Sequence, residues 1–333
     1  MQNIERKPLG IIDALSNGYA LVVRRPWVLL FPIAFNLFLW LGPQINARPI
    51  FDQAIAVLNA STAYTSNITP ETQQGLDASK EMLKAEGENF NVFSITALFA
   101  LGVPALLGLE PLPTTPPRAP WLVVGDMGTL IALSVLFALI GVMIASLYLE
   151  TIARAVRPEG QTQTFVPRIV KSYLKTGGFI ALALFGLIAL LSPFMIGATL
   201  ISLVNQGLAS FVLIIGVMLV LWSLLYMAFA VPAIFVSGAN PVQAIWNSIT
   251  VFRFNSWSAM GLVFLIYLIQ MGFSLVWPMF LDTPWGTAFN VIANAFLGSG
   301  LMAAAMLFYH DRFTWLTEVR QRIRQQQRPV IKG

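Results

Sequence analysis

Six stretches of the chain are apolar with few interruptions: residues 27–43, 127–149, 177–203, 208–236, 258–280 and 287–309. A helix needs about 20 mostly apolar residues, and no fewer than about 17, to cross the hydrocarbon core of a bilayer. None of the six holds Asp, Glu, Lys, Arg or His in its interior, and Asp126, Glu150 and His310 fall just beyond their ends. The pattern predicts six membrane-spanning helices. Several exceed the minimum, so tilting or kinks at Pro193, Pro232 and Pro278 are expected.

A seventh apolar stretch, residues 92–109, is interrupted by Gly102-Val103-Pro104 and followed by Glu110-Pro111-Leu112-Pro113. The distribution of charge bears on whether it spans. Without it as a span, the segments on the side of the N-terminus are 1–26, 150–176, 237–257 and 310–333, and they hold 16 of the chain's 20 Lys and Arg. The opposite region, 44–126, then has Arg48, Lys80, Lys84 and Arg118 against eight acids. With it as a span, the five bases of 150–176 move to the outside. Basic residues favour the cytoplasmic side, so residues 92–109 are expected to form a re-entrant or surface-lying hairpin broken at Gly-Val-Pro. Irregular backbone at membrane depth is tolerated only where protein or water satisfies it.

Between the first two spans lies an extracytoplasmic insertion, 44–126, expected to be largely helical. Thr69-Pro70-Glu71 has the form of an N-cap, a proline at the first helical position and an early acid. A helix over 70–88 would turn Leu76, Met82 and Leu83 toward one side, and 111–120 reads as a stiff proline-rich linker. Asn59-Ala60-Ser61 and Asn67-Ile68-Thr69 match the glycosylation pattern, which is common by chance. On the other side, residues 9–25, 166–175 and Pro241–Phe254 read as amphipathic interfacial helices, each preceding an outward-going span. In the first, Ile11, Leu15, Gly18 and Val22 recur at helical spacing, with Ile12, Tyr19 and Val23 beside them; in the third, Ala244, Ile245, Ile249 and Phe252 do so. Each has a proline near its start and a serine inside (Pro8 and Ser16, Pro167 and Ser172, Pro241 and Ser248). The chain thus reads as three units of interfacial helix, span, outer connection and return span.

Composition sharpens this picture. Of 333 residues, 57% are hydrophobic and 11% charged, with a mean hydropathy of +0.73. A soluble domain carries about 25% charged residues, so the solvent is lipid. There is no Cys, which excludes disulfides, thiolate metal sites, Cys nucleophiles and S-palmitoylation. One His, His310, cannot build a His-based metal site or a Ser/His/Asp triad unaided. The N-terminal region has no cleavage site of the secretory kind, and position 2 is not Gly, so neither a cleaved signal nor myristoylation is expected. Trp27, Trp40, Trp121, Trp257, Trp277 and Trp285 lie near predicted span ends, as an aromatic belt requires. Trp222, in mid-span, reads as packing.

Arg24-Arg25-Pro26-Trp27-Val28-Leu29-Leu30-Phe31-Pro32, leading to Leu39-Trp40-Leu41-Gly42-Pro43, together with Phe93-Ser94 through Gly102-Val103-Pro104 and Asn247-Ser248 to Arg253, resembles bacterial multi-pass families related to the membrane domain of glycerophosphoryl diester phosphodiesterases. The resemblance implies a membrane fold over most of the chain. The soluble domain that carries the phosphodiesterase activity has no counterpart here, so the activity is not implied.

Candidate chemistry rests on intramembrane polar residues. Asn36 and Gln270 fall near mid-membrane, and Asn290 and Asn294, four residues apart, share a helix face near the outer end. They line a polar pathway in one reading and make interhelical hydrogen bonds, worth about 0.6 kcal/mol each, in the other. Ala295, Ser299 and Ala303, and Gly141 with Ala145, form small-residue stripes suited to close helix packing. Gly102, Val103 and Pro104 are candidates for a lid over Asn290 and Asn294, or for passive contact with the membrane. Ion-coupled pumps place titratable groups inside the bundle, and none is predicted there. The outer acids Glu71, Asp77, Glu81, Glu86 and Glu88 lack the spacing of a calcium loop and read as a solvated helix face. There is no P-loop and no Gly-x-Gly-x-x-Gly. Arg312, Arg320, Arg322, Arg324, Arg328 and Lys332 form a basic tail suited to anionic lipid or a cytoplasmic protein partner, with no groove-reading motif for nucleic acid.

The expectation is therefore an all-α polytopic membrane bundle of six transmembrane helices in one domain spanning 1–333, with cytoplasmic amphipathic helices, an extracytoplasmic helical insertion at 44–126 and a basic cytoplasmic tail at 310–333. It is a cell-membrane protein with both termini cytoplasmic. Its expected function is non-catalytic, organising lipid or a membrane partner, without catalytic, cofactor-binding or metal residues. The alternative is a permease or lipid-handling transporter for a neutral or amphipathic substrate. Because the chain has no Cys, single-Cys variants report topology directly. Lys80→Cys and Arg118→Cys are expected to react with an impermeant maleimide from outside, and Gly160→Cys and Gln325→Cys only after permeabilisation. Protection of Arg118→Cys in intact cells would overturn the six-span arrangement.

Overall fold

The computed structural model describes residues 8–63, 70–106, 119–157 and 165–326. The helices among them are α1 (Ile11–Arg24), α2 (Leu30–Leu41), α3 (Arg48–Ala63), α4 (Pro70–Asn89), α5 (Ile95–Phe99), α6 (Met127–Val156), α7 (Phe165–Ser202), α8 (Gln206–Tyr226), α9 (Ala230–Ser237), α10 (Pro241–Phe254), α11 (Ser256–Val276) and α12 (Pro284–Gln326). Short 3-10 turns precede α2 at Pro26–Leu29 and α5 at Val92–Ser94, and follow α11 at Trp277–Phe280. The protein is an all-α polytopic membrane bundle. Five helical segments are long and apolar enough to cross a membrane, and a sixth counts if the bent pair Ile11–Arg24 and Pro26–Leu41 is one span. The first expected span, 27–43, is thus a shorter helix of 16 residues, Pro26–Leu41, that meets the criterion only with α1.

Breaks fall where the sequence forces them. Pro26 supplies no N–H and disfavours helical backbone in the residue before it, and α1 ends at Arg24. Asn255 ends α10, its side chain returning to the Val251 carbonyl at 3.3 Å. Gly177 and Gly178 follow 166–175 without ending a helix, and the interfacial helix expected there is instead the first part of α7, which also runs uninterrupted through Pro193. At 1.5 Å per residue α7 is about 57 Å long, so its spanning part, 177–203 by hydropathy, leaves a substantial overhang at the basic end. The basic tail is likewise a continuation of α12 as far as Gln326; Arg328 and Lys332 lie outside the described residues.

The chain divides into two compact units. The first comprises Met1–Val28, Leu149–Phe273 and Ser299–Gly333. Here α1 lies against α12 through Gly18, where a Cβ would come within 2.6 Å of the Gly300 carbonyl oxygen and the Ala304 nitrogen. Ala14, Leu15, Gly18 and Val22 are buried, as the sequence pattern expects of Leu15, Gly18 and Val22, while Ile12 and Val23 are exposed. The start of α1 is tied to α12 as well: Leu9 N–H donates to Asp311 at 2.7 Å, and Arg312 donates to the Leu9 carbonyl at 2.9 Å and to Asn255 at 3.1 Å. Arg312 is therefore part of this joint rather than of a free basic tail. In α10, Ala244 and Phe252 are buried, and Val242, Trp246 and Phe254 are exposed.

The second unit comprises Leu29–Tyr148 and Ser274–Gly298. Its insertion is a hairpin of α3 and α4, closed at its base by two-residue parallel strands, β1 (Ile45–Asn46) and β2 (Leu122–Val123). Phe51 meets Phe90, and Arg48 pairs with Glu88 at 3.8 Å. Ile45, Ala47, Ile50, Val92, Ile95, Val124 and Phe137 form the core beneath the hairpin. On α4 the inward side is Leu76, Lys80, Leu83 and Gly87, and Met82, expected there, is exposed. The Asp126 carboxyl caps α6, and the Thr129 backbone N–H holds it below the ordinary carboxylate range. The stabilisation it gives is present above the unfolded-state pKa and disappears as pH falls through the lowered value. Thr69, Asn67 and nearly all of the 111–120 linker fall outside the described residues, and Asn59 sits within α3.

Trp27, Trp121, Trp257 and Trp285 are exposed, consistent with belt positions, but Trp40 and Trp277 are buried packing residues. Trp222 is half exposed and lies 6.3 Å from the Tyr226 ring. Gly18→Leu is expected to cost about 1–3 kcal/mol by overpacking the α1–α12 contact. Gly75→Leu on α4, where nothing lies within 4 Å, should cost none of this. Denaturation in detergent mixtures compares them; equal midpoints would contradict the packing described.

Candidate functional site

A helix broken inside a membrane leaves backbone N–H and C=O groups without partners, at several kcal/mol each. The segment 92–109 poses this problem in the second unit. Among its described residues only eight, Val92–Phe99, are helical, too few to span. After Ala100 the chain turns through Gly102, whose φ of +75° is the left-handed conformation glycine adopts without strain. Pro104, which follows, has no N–H to donate.

Asn36 resolves the problem. It is wholly buried on α2 and uses all its polar atoms on backbone. Its Nδ2 donates to the Pro32 carbonyl at 2.7 Å and to the Pro104 carbonyl at 2.8 Å, and its Oδ1 accepts from Leu106 N–H at 2.7 Å. The first bond anchors the amide to its own helix, and the other two hold the turn. Pro104 seats on Gly298 of α12, where a Cβ would meet the proline ring at 2.5 Å. Thr96, Phe99 and Ala100 lie against Gly141 of α6, the packing expected of that small residue, and Phe93 contacts Phe38 and Phe137. Val103 and Pro104 are buried while Gly102 is exposed. The candidate lid residues thus form a turn in which Val103 and Pro104 are packed within this unit.

Asn290 and Asn294 lie on α12 in the same unit. Asn290 is wholly buried and donates to the Trp277 carbonyl at 2.8 Å, in the turn that follows α11. Its Oδ1 and the Nδ2 of Asn294 are buried without hydrogen-bond partners. Gln270 is exposed on α11, in the first unit. Of the small residues expected on α12, Ala295, Ser299 and Ala303 are all buried.

The first unit carries a cluster that the hydropathy pattern concealed. Glu150, placed beyond the second span by sequence, is inside α6 and wholly buried. Arg157 grips it through two bonds, Nη1 to Oε1 at 3.0 Å and Nη2 to Oε2 at 2.9 Å. Arg168 on α7 approaches Oε1 at 3.1 Å, and Ser172 lies at 3.5 Å from Oε2. Arg157 also donates to the Phe235 carbonyl of α9, and Lys175 to that of Gly238. Arg168 lies within electrostatic reach of Arg157 and Arg154 as well as Glu150, and Lys175 within reach of Lys171 and Arg168. The signal available in the sequence was one acid at a span end with Arg154, Arg157, Arg168, Lys171 and Lys175 close by.

Ser248 performs for α8 and α9 what Asn36 does for the turn at Pro104. It donates to the Tyr226 carbonyl at 2.6 Å and accepts from Phe229 N–H at 3.0 Å, bridging the break between those helices. The serines shared by the three expected repeats have different surroundings: Ser16 is exposed, Ser172 faces Glu150 and Ser248 bridges a break. Among the described residues no group of three His, Asp or Glu side chains is arranged to hold a metal ion.

The chain matches no family model, no curated protein and no solved structure.

Asn36→Leu keeps the approximate volume and strands the Pro104 carbonyl and Leu106 N–H, each unpaired group costing about 1–3 kcal/mol. Asn36→Asp keeps an acceptor for Leu106 but loses both donors in its ionised form. Both variants are expected to lower the denaturation midpoint and to make Val103→Cys, introduced alongside, react faster with maleimide. Unchanged stability and labelling would show that the turn does not depend on Asn36.

Proposed function

We propose that this chain is a non-catalytic multi-pass membrane protein that organises lipid or a membrane partner, with its basic segments facing the cytoplasm. The observation that carries the reading is how its membrane-embedded polar groups are used. Asn36 spends three hydrogen bonds on backbone, and the Glu150 carboxylate is taken up by Arg157 and Arg168. A general base or a transport ligand must exchange its partner during turnover, whereas these groups hold helices in place.

The distribution of exposed apolar surface supports the same reading. In α7 the most apolar window is only 6% buried, and in α11 11%, against 56% in α12. Much of the spanning surface therefore meets lipid or another protein rather than this chain's own core. The resemblance to the membrane domain of glycerophosphoryl diester phosphodiesterases accords with a membrane role without supplying an activity.

A permease for a neutral or amphipathic substrate is the second reading, favoured by the unpaired Asn290 Oδ1 and Asn294 Nδ2. Proteoliposomes separate the two. Release of an entrapped neutral solute and flipping of a fluorescent phospholipid are expected to match protein-free vesicles. Flux above that level, lost in a folded Asn290→Ala/Asn294→Ala variant, would replace the first reading with the second.

A further inference from the structure

We propose that Arg154, Arg168 and Lys171 form a binding site for the phosphate of an anionic phospholipid. This deepens the functional reading above by naming a lipid class and its place on the protein. Segment 150–176 holds five bases and two acids, Glu150 and Glu159, the latter outside the described residues. Glu150 is already shared by two guanidinium groups. With Glu159 counted in full, the segment still carries a net charge of +3.

Two further observations place this charge at lipid-headgroup level. On the α7 overhang, Arg168, Lys171 and Lys175 follow i, i+3, i+7 spacing and share one face, while Val166, Val170 and Leu174 follow i, i+4, i+8 on the opposite face. Those three apolar side chains are 69%, 53% and 66% exposed. Beside α7, Pro241 at the start of α10 lies near Gly178, and α10 exposes Val242 and Trp246. Tryptophan favours the membrane interface. The basic face therefore stands where phospholipid phosphates lie.

The residue types suit that ligand. A guanidinium presents paired N–H donors that match phosphate oxygens, and an ammonium adds a point charge. Glu150 positions Arg168 through its Nε contact. Arg154 and Lys171 are exposed, Arg154 lies within electrostatic reach of Arg168, and Arg168 and Lys171 share a face of α7.

The test uses the full chain in uncharged detergent, titrated with phosphatidylglycerol, phosphatidylcholine or inorganic phosphate, and read by native mass spectrometry and thermal stability. Phosphatidylglycerol is expected to bind and stabilise more than phosphatidylcholine, and inorganic phosphate to bind more weakly than the lipid. Arg154→Gln and Lys171→Gln should each weaken phosphatidylglycerol binding roughly fivefold, the effect of about one charge near a membrane surface. Arg154→Lys and Lys171→Arg should retain most of it, and Lys84→Gln, at an exposed position on α4 of the insertion, should leave it unchanged.

Equal weakening by Lys84→Gln would replace the local site with diffuse attraction and overturn the proposal. Inorganic phosphate binding as tightly as phosphatidylglycerol would overturn the lipid assignment. Unchanged binding in folded Arg154→Gln and Lys171→Gln would remove the site altogether. Failure here leaves the vesicle-flux result untouched, and flux in that assay overturns the non-transporting role while leaving lipid binding measurable.

Discussion

A backbone amide deprived of water must find another partner, and most of this architecture follows from that requirement. An unbroken membrane helix satisfies it internally. Each break creates a local deficit, and in this chain a buried polar side chain stands at several of them: Asn36 at the turn through Gly102 and Pro104, Ser248 between α8 and α9, and Asn290 beside the turn after α11. These residues contribute less as a source of binding energy than by preventing the larger cost of an unpaired group. Deletion should therefore harm more than the modest strength of an average interhelical hydrogen bond suggests.

The same economy governs charge. Glu150 is buried, but it is neither isolated nor available: one guanidinium grips both of its oxygens and a second closes on one of them. Such a pair need not make the fold more stable than a hydrophobic substitute would, because its desolvation cost offsets much of its attraction. What it fixes is geometry, holding the end of α6 against α7 and, through Arg157, against the Phe235 carbonyl of α9.

Much of the membrane architecture was legible in the sequence because a lipid solvent imposes a coarse rule on long stretches. Five long apolar segments appear as spanning helices, and α1 and α10 bury faces close to those that the periodicity indicated. Local continuity was harder to read. Nothing in hydropathy distinguishes 166–175, which runs into α7 through Gly177 and Gly178, from Pro241–Phe254, which ends at Asn255. The polar residues were also identifiable as unusual, but their partners were not. Asn36 and Pro104 are separated by 68 positions, and no local pattern links them. Gln270 has the same hydropathic signature as the asparagines, yet it is exposed, because composition within a span does not specify rotation about its axis.

The separation between Asn36 and Pro104 gives the protein a timetable. The Pro32 bond is available as soon as α2 forms, since donor and acceptor are four residues apart. The Pro104 bond must await the synthesis of 68 further residues, which takes about 3–14 s at ordinary ribosomal rates of about 5–20 residues per second. During that interval α2 exists with half of its amide's donor capacity uncommitted. By contrast, Glu150 meets Arg157 only seven residues later, almost as soon as it is made. The acid is neutralised at birth, whereas the amide waits for a partner until α3, α4 and α5 have been made.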